Sequence, residues 1–265
     1  MKLGVNTVLF KDFSIREAFA AIKKAGYDGV ELSAIAGMCE HLVLDDWQRQ
    51  AALVLALLRQ YGLEPLSMEA ATLDEERLDK AFRAAQAIGI PVVNVGPGGK
   101  KDDEQTLLAS IATLKARAEQ AEKYGVLLCV KAHVGNAIHN TDTTLRAMDA
   151  IPSAGFGIDM DPSHVFRAGE KPEEAFSKVA SRVKHVHIRD CPDTGPSPGT
   201  PAQQACGRGQ INLFGYFESM AAAGYDGPVC LEVIGPALSY SDAAIIAAES
   251  LGYMNACMKK IGIKR

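Results

Sequence analysis

Helix-like stretches that end in glycine alternate with short apolar stretches along the whole chain. The glycines that end these stretches are Gly26, Gly62, Gly89, Gly125 and Gly224. Glycine suits the left-handed backbone conformation that commonly ends a helix. Two helix starts carry the capping-box pattern, in which Ser or Thr precedes Glu by three residues: Ser14 with Glu17 and Thr72 with Glu75. The pattern predicts regular alternation of helices and strands.

The apolar stretches give eight strand candidates separated by helical stretches. They span residues 3–7, 29–33, 65–70, 91–96, 126–133, 155–161, 183–189 and 228–233. Strands that alternate with helices predict a parallel sheet, and eight of them favour a single (β/α)8 TIM barrel over residues 1–265. The alternative is an open, doubly wound sheet, but no G-x-G-x-x-G motif follows the first strand.

One connection is too long and irregular for an ordinary strand-to-helix loop. Residues 191–209 are rich in Pro, Gly, Gln and Ser and directly follow the seventh predicted strand. In a barrel this segment would lie at the C-terminal mouth, where active sites are built. We therefore interpret it as an active-site loop.

Polar residues recur near the C-terminal ends of the predicted strands. In the seventh strand His185, His187 and Arg189 share one face, because side chains alternate between faces along a strand. The same period places further polar residues inside the barrel: Asn6, Glu31, Glu69, Asn94, Lys131, His133, Asp159, Asp161, His164 and Glu232. Burying so many polar groups without partners is costly, so they predict a site for a polar substrate or a metal.

Asp161, His187 and Glu232 are the most specific subset of these residues. Carboxylates and an imidazole from different strands are common ligands of Mn²⁺, Mg²⁺, Co²⁺ or Zn²⁺. Two simpler interpretations stay open. Asp161 also fits a helix N-cap before Pro162, and His185, which lies deeper in the strand, fits a hydrogen-bonded barrel histidine better than a ligand.

Composition and charge narrow the class of protein. The chain is 48% hydrophobic and 23% charged, with a formal net charge of -4. The sequence shows no stripe of basic residues of the kind that binds nucleic acid. It also shows no apolar run long enough to cross a bilayer. Six scattered cysteines without a CxxC pair are typical of reduced thiols in a cytoplasmic protein. We expect no nucleic-acid or membrane partner. The sequence is compatible with a homo-oligomer.

Five motifs make the chain resemble the sugar phosphate isomerase/epimerase superfamily of xylose-isomerase-like barrels. This superfamily also includes endonuclease IV, ketose 3-epimerases and inosose dehydratase. The motifs are Gly26-Tyr27-Asp28-Gly29-Val30-Glu31-Leu32, Asp161-Pro162-Ser163-His164, His185-Val186-His187-Ile188-Arg189-Asp190, Gly207-Arg208-Gly209-Gln210-Ile211-Asn212, and Gly224-Tyr225-Asp226-Gly227 followed by Leu231-Glu232-Val233.

The resemblance implies a TIM barrel with one divalent metal at its mouth. It assigns Asp161, His187 and Glu232 as metal ligands and places His164 near the substrate. The family's ligand Glu on the fifth strand is Lys131 here, two residues before His133. The loop at 191–209 contains no His, whereas endonuclease IV-like proteins carry an extra Asp-x-His pair there. That difference argues against DNA repair.

The lysine at position 131 leaves three arrangements open. The metal stays and the amine is neutral, acting as a base or hydrogen-bond donor. In the second arrangement, the ammonium replaces one role of the metal and binds Asp161 or Glu232 directly. Schiff-base chemistry is the third.

We expect an isomerase or epimerase that acts on a sugar, sugar derivative or cyclitol by metal-assisted proton abstraction next to a carbonyl. Glu232, Lys131 and His164 are the predicted proton-transfer residues. The predicted substrate-binding residues are Arg189, Arg208, His133, Glu69 and Asn94. A lyase that cleaves a keto-sugar or keto-glycoside by β-elimination is one alternative. A non-catalytic sugar-binding or subunit protein is another.

Overall fold

A computed structural model describes residues 1–263, in which eight parallel strands close into a (β/α)8 barrel. The strands are β1 (Lys2–Asn6), β2 (Gly29–Ile35), β4 (Glu64–Glu69), β5 (Val92–Val95), β6 (Leu127–Lys131), β7 (Phe156–Met160), β8 (Val183–Ile188) and β9 (Pro228–Leu231). Each pairs with the next barrel strand along the chain, and β1 closes the barrel by pairing with both β2 and β9. A two-residue strand that the sequence did not predict, β3 (Cys39–Glu40), pairs antiparallel with the end of β2.

The helices surround the barrel and connect its strands. They are α1 (Ile15–Ala25), α2 (Trp47–Tyr61), α3 (Glu75–Ile88), α4 (Glu104–Glu122), α5 (Thr141–Ala150), α6 (Pro162–Arg167), α7 (Pro172–Val179), α8 (Leu213–Ala222) and α9 (Tyr240–Lys260). No helix within residues 1–263 has the length and apolar character needed to cross a membrane.

The predicted helix ends are largely present. Gly26, Gly62 and Gly89 are left-handed C-caps with φ of 102°, 57° and 85°. Ser14 and Glu17 form the predicted capping box of α1. The second predicted box is wrong, because Asp74 rather than Thr72 caps α3 by accepting a hydrogen bond from the Arg77 N–H.

Close packing at the base of the barrel explains one glycine. A Cβ on Gly29 would lie 2.4 Å from the Glu64 carbonyl oxygen and 2.6 Å from Leu66 Cγ. Real Cβ atoms do not approach other atoms so closely, so β2 and β4 pack at this distance only because residue 29 has no side chain.

The long segment after β8 is held in place by one buried carboxylate. Asp190 accepts hydrogen bonds from the backbone N–H groups of Cys191 (2.8 Å), Gly207 (3.0 Å) and Ile211 (3.1 Å). These bonds tie both ends of the loop to the end of β8. The intervening segment lies at the mouth of the barrel, and its Pro196 and Pro198 line the cavity there.

Candidate active site

A cavity of about 560 Å³ lies at the C-terminal ends of the strands. Its wall combines a charged set with an apolar set, and each set comes from several elements. The lining residues are Glu69, Lys131, His133, His164, Arg167, Arg189 and Glu232, with Ile35, Met38, Ala71, Thr72, Leu73, Gly96, Gly98, Asn136, Pro196, Pro198 and Ile234. A volume in this range is typical of small-molecule sites.

Lys131 is the last residue of β6, and its ammonium lies between two carboxyl groups and beside a histidine ring. Nζ is 2.9 Å from Glu232 Oε1, 3.1 Å from Glu69 Oε1 and 3.2 Å from His187 Nδ1. Burial disfavours the charged amine, but Glu232 and Glu69 outweigh it and raise the pKa of Lys131 above its ordinary value. Lys131 is therefore a buried cation, as in the second of the three arrangements considered for it.

Arg189 follows β8 and is the second buried cation of the site, only 1% exposed. Its Nη2 donates to Asp161 Oδ2 at 2.9 Å, and its Nε donates to Ser163 Oγ at 2.7 Å. Nη1 lies 3.1 Å from Glu232 Oε2, close enough for an ion pair although neither atom makes a hydrogen bond. Arg189 thus connects Asp161 to Glu232.

Glu69 and Glu232 line the same cavity but differ in proton affinity. Burial and the charge of Glu232 raise the pKa of Glu69 to about 8. Burial also disfavours ionisation of Glu232, but Lys131 and Arg189 outweigh it and lower the pKa of Glu232 well below its ordinary range. Near neutral pH Glu232 is therefore ionised and Glu69 is mostly protonated.

A second polar layer lies further inside the barrel. His187 Nε2 is 2.5 Å from Glu31 Oε2, and its Nδ1 is 2.6 Å from Asp159 Oδ2. Although burial opposes it, these two carboxylates raise the pKa of His187 well above its ordinary value. His185 contacts Ser67 at 2.8 Å and Asp159 at 2.9 Å, so it is a hydrogen-bonded barrel histidine. We call Glu31, Asp159, His185 and His187 the inner layer.

The structure contains buried clusters suitable for a divalent metal. In each cluster the ligand atoms all lie within 4.8 Å of one another. Within the described residues they are Glu31, His185 and Cys230; Asp159, His185 and His187; and Glu31, Glu69 and His187. Imidazole and carboxylate donors in such sets suit Zn²⁺ or Mn²⁺. The predicted set of Asp161, His187 and Glu232 is not among these groups in residues 1–263.

Asp161 has two roles at the start of α6. Its Oδ1 caps the helix by accepting from the Ser163 N–H at 2.8 Å, while its Oδ2 accepts from Arg189. Burial disfavours its ionised form, but Arg189 keeps the pKa of Asp161 below its ordinary value. The N-cap role considered from the sequence is therefore present together with a charge pair.

Two histidines stack at the wall of the cavity. The rings of His133 and His164 are 4.1 Å apart, and His164 Nε2 lies 3.0 Å from Arg189 Nη2. His164 Nδ1 lies 3.2 Å from the Val134 N–H. A neutral imidazole carries one N–H and Arg189 can only donate, so His164 accepts a hydrogen bond at only one of these two contacts. Burial lowers the pKa of His164 well below its ordinary value, in agreement with an uncharged ring.

The structure brings six of the predicted site residues to the cavity wall: Glu69, Lys131, His133, His164, Arg189 and Glu232. Asn94, Asp161 and His187 are buried next to them without lining the cavity. Asn94 donates to Glu31 Oε1 at 2.6 Å. Arg208 lies outside, in a partly exposed ion pair with Glu249.

Sequence reasoning missed Arg167, which also lines the cavity. Its Nε donates to the Gly195 carbonyl at 3.0 Å, and its Nη2 contacts the Pro196 carbonyl. Arg167 lies three residues after His164 on α6, and that spacing places both on one helix face. The i, i+3 spacing after the Asp-Pro-Ser-His motif was the available signal.

Comparison with known proteins agrees with this fold. The family model of the xylose isomerase-like TIM barrel matches residues 19–257. The chain is 25% identical to a putative hydroxypyruvate isomerase of Streptomyces coelicolor, over 87% of this chain and 90% of that one. It is 22% identical to an L-ribulose 3-epimerase of a Methylomonas species, over 84% and 82% of the two chains.

The chain also matches part of a dehydratase and superimposes on a solved structure with bound zinc. An inosose dehydratase of Clostridium beijerinckii is 29% identical over 89 residues, which are 34% of this chain and only 29% of the dehydratase. The crystal structure of the IOLI protein, which contains a bound zinc atom, superimposes with a TM-score of 0.80 at 17% identity and covers 98% of this chain and 99% of that one.

Proposed function

Because the chain belongs to the xylose isomerase-like TIM barrel family, we propose that it is an isomerase or epimerase of a sugar, sugar derivative or cyclitol. The proposed reaction is proton abstraction from the carbon next to a carbonyl. The similarity to an isomerase and an epimerase over most of the chain supports this class of reaction.

One observation carries the proposal. Two carboxylates, Glu69 and Glu232, come from β4 and from the end of β9, and both contact the Lys131 ammonium at the cavity wall. A carboxylate that removes a proton and a second acid that returns one are what epimerisation needs. Of the proton-transfer residues predicted from the sequence, Glu232 is the one carboxylate; we propose Glu69, predicted there as a substrate-binding residue, as the second.

The two carboxyl groups suit opposite halves of this exchange. Glu232 is ionised and lies at the cavity wall, where it can accept a proton from a bound substrate. Glu69, with a pKa of about 8, keeps a proton near neutral pH and can donate it to the substrate carbon. Return of the proton to the same carbon on the other face gives epimerisation, and return to the neighbouring carbon gives isomerisation.

The cations beside these carboxylates have a different role. Abstraction leaves negative charge on the carbonyl oxygen as an enediolate forms. Lys131 and Arg189 are fixed, buried donors at the cavity wall and stabilise such charge without large rearrangement. His133 and His164 offer ring nitrogens to substrate hydroxyl groups from the same wall.

Of the clusters suitable for a metal, Glu31, Glu69 and His187 include a residue of the cavity wall and would hold an ion beside it. When bound, a divalent ion supplies positive charge that favours the enediolate. The assignment of Asp161, His187 and Glu232 as ligands stays a prediction.

Solvent deuterium exchange tests the proposal. A panel of ketoses, keto-cyclitols and hydroxypyruvate is incubated with enzyme in D₂O, and deuterium next to the carbonyl is followed by NMR. We expect exchange by the wild type and a loss of about 100-fold in E232Q, because general acid–base groups contribute on that order. E64Q, at an exposed carboxylate, is the matched control. Absence of exchange across the panel, or unchanged exchange in E232Q, would overturn the proposal.

A second candidate is favoured by the apolar part of the cavity wall. Ile35, Met38, Leu73, Pro196 and Ile234 form this apolar part of the wall. An apolar wall of this kind would suit the aglycone of a keto-glycoside, which the predicted lyase would release by β-elimination. Incubation with a keto-glycoside that carries an aryl aglycone decides between the two: the free aglycone, detected by mass, identifies the lyase.

A further inference from the structure

Lys131 directs its ammonium at the two carboxyl groups around it. Nζ donates to Glu232 Oε1 at 2.9 Å and to Glu69 Oε1 at 3.1 Å, and the His187 ring lies beside it at 3.2 Å. The side chain is about 6% exposed. The ammonium is thus a built-in cation held between two carboxylates from different strands.

The same atoms are those that a divalent ion would need. Glu69 and His187 belong to the cluster beside the cavity that suits a metal. Glu232 and His187 belong to the set predicted from the sequence. An ion in either set would bind one of the two carboxyl groups that hold Nζ, together with the His187 ring beside it, and its charge would repel the ammonium at short range.

Arg189 fixes a third carboxylate, Asp161, which is buried next to the cavity wall. It donates to Asp161 Oδ2 at 2.9 Å and lies 3.1 Å from Glu232 Oε2. Glu69, Asp161 and Glu232 therefore each contact a cation that belongs to the chain. Three carboxylates with two fixed cations leave little net charge to attract a dication.

We propose that Lys131 and a divalent metal are alternative occupants of the space between Glu69 and Glu232, and that the Lys131 ammonium is the occupant in this protein. In the proposed reaction the ammonium then provides the positive charge next to the substrate carbonyl. This second part rests on the proposed function, whereas the exclusion of metal does not.

Metal binding tests the exclusion directly. Mn²⁺ is titrated into metal-stripped wild type, K131M and K131E by calorimetry, and the bound metal is counted by elemental analysis. Removing the ammonium in K131M should tighten Mn²⁺ binding at least about 10-fold, or add one bound ion. K131E, which adds an oxygen ligand, should bind more tightly still. K184M removes an exposed lysine from β8 and should behave as the wild type.

Equal stoichiometry and affinity in the wild type, K131M and K131E would overturn the proposal. Circular dichroism first confirms that each variant is folded, and K131M still decides the question if K131E does not fold. Binding by the inner layer alone would appear equally in all four proteins, so the comparison is between variants rather than against zero.

The second part has its own test. Deuterium exchange by the wild type should persist after dialysis against EDTA and should not rise on addition of Mn²⁺. Exchange that is lost with EDTA and restored by Mn²⁺ would overturn the role of the ammonium. If no substrate exchanges at all, the proposed function fails, and the Mn²⁺ titrations alone still decide whether Lys131 excludes the metal.

Discussion

At the scale of single residues, burial decides how much the protein depends on an ion pair. Arg189 contacts Asp161 and Glu232 at almost zero exposure, whereas Arg208 makes the same kind of pair with Glu249 at a partly exposed position. The sequence predicted both arginines as substrate-binding residues. It could not separate them, because exposure depends on how the loop at 191–209 folds.

Removing the buried arginine should be far more costly than removing the exposed one. R189M leaves buried Asp161 without its cation and removes one of the two cations beside Glu232, so we expect a loss of about 3–5 kcal/mol in the free energy of unfolding. R208M should cost less than about 1 kcal/mol and leave deuterium exchange unchanged. Urea denaturation of both variants measures the contrast, and equal losses would contradict it.

The raised pKa of Glu69 predicts a pH dependence of stability. When folded it titrates at about 8 and when unfolded near the ordinary 4.5. Between these values the folded state holds a proton that the unfolded state has lost, so stability from this group falls as pH rises. E69Q cannot lose such a proton. The free energy of unfolding of the wild type minus that of E69Q should therefore decrease from about pH 5 to about pH 8, and a flat difference would contradict the shift.

At the scale of elements, the strands were predictable and the partners of their side chains were not. All eight barrel strands were found from their apolar pattern, within one to two residues at most ends. The period of two also placed Lys131, Glu69 and Glu232 inside. Whether these three side chains meet depends on strand order and register, which a single sequence does not carry. For the same reason β3 was not predicted.

The loop at 191–209 depends on Asp190 at the end of β8. D190A would leave the N–H groups of Cys191, Gly207 and Ile211 without their acceptor. We expect a loss of about 1–3 kcal/mol for a buried group left without a partner and faster proteolysis within the loop. D193A, at a largely exposed position in the same loop, is the control; equal proteolysis of both variants would show that Asp190 does not hold the loop.

At the scale of the whole molecule, the closed barrel demands close contact where its first strands meet. G29A would place a methyl group 2.4 Å from the Glu64 carbonyl oxygen, so we expect destabilisation of about 1–3 kcal/mol. In G252A the added methyl group has no atom within 4 Å, at an exposed position of α9. This substitution should stabilise the protein by about 0.5–1 kcal/mol. Thermal unfolding of the pair checks the sign, and destabilisation by both would contradict the argument.

The position of Lys131 also has an evolutionary consequence. Lysine and glutamate codons differ by a single base, and the sequence motifs predict that residue 131 matches a glutamate in related barrels. If the ammonium replaces the metal as proposed, one base change separates a barrel that carries its own cation from one that binds an ion. A lineage that runs short of transition metals could exchange one for the other by a single point mutation, because the surrounding carboxylates serve both.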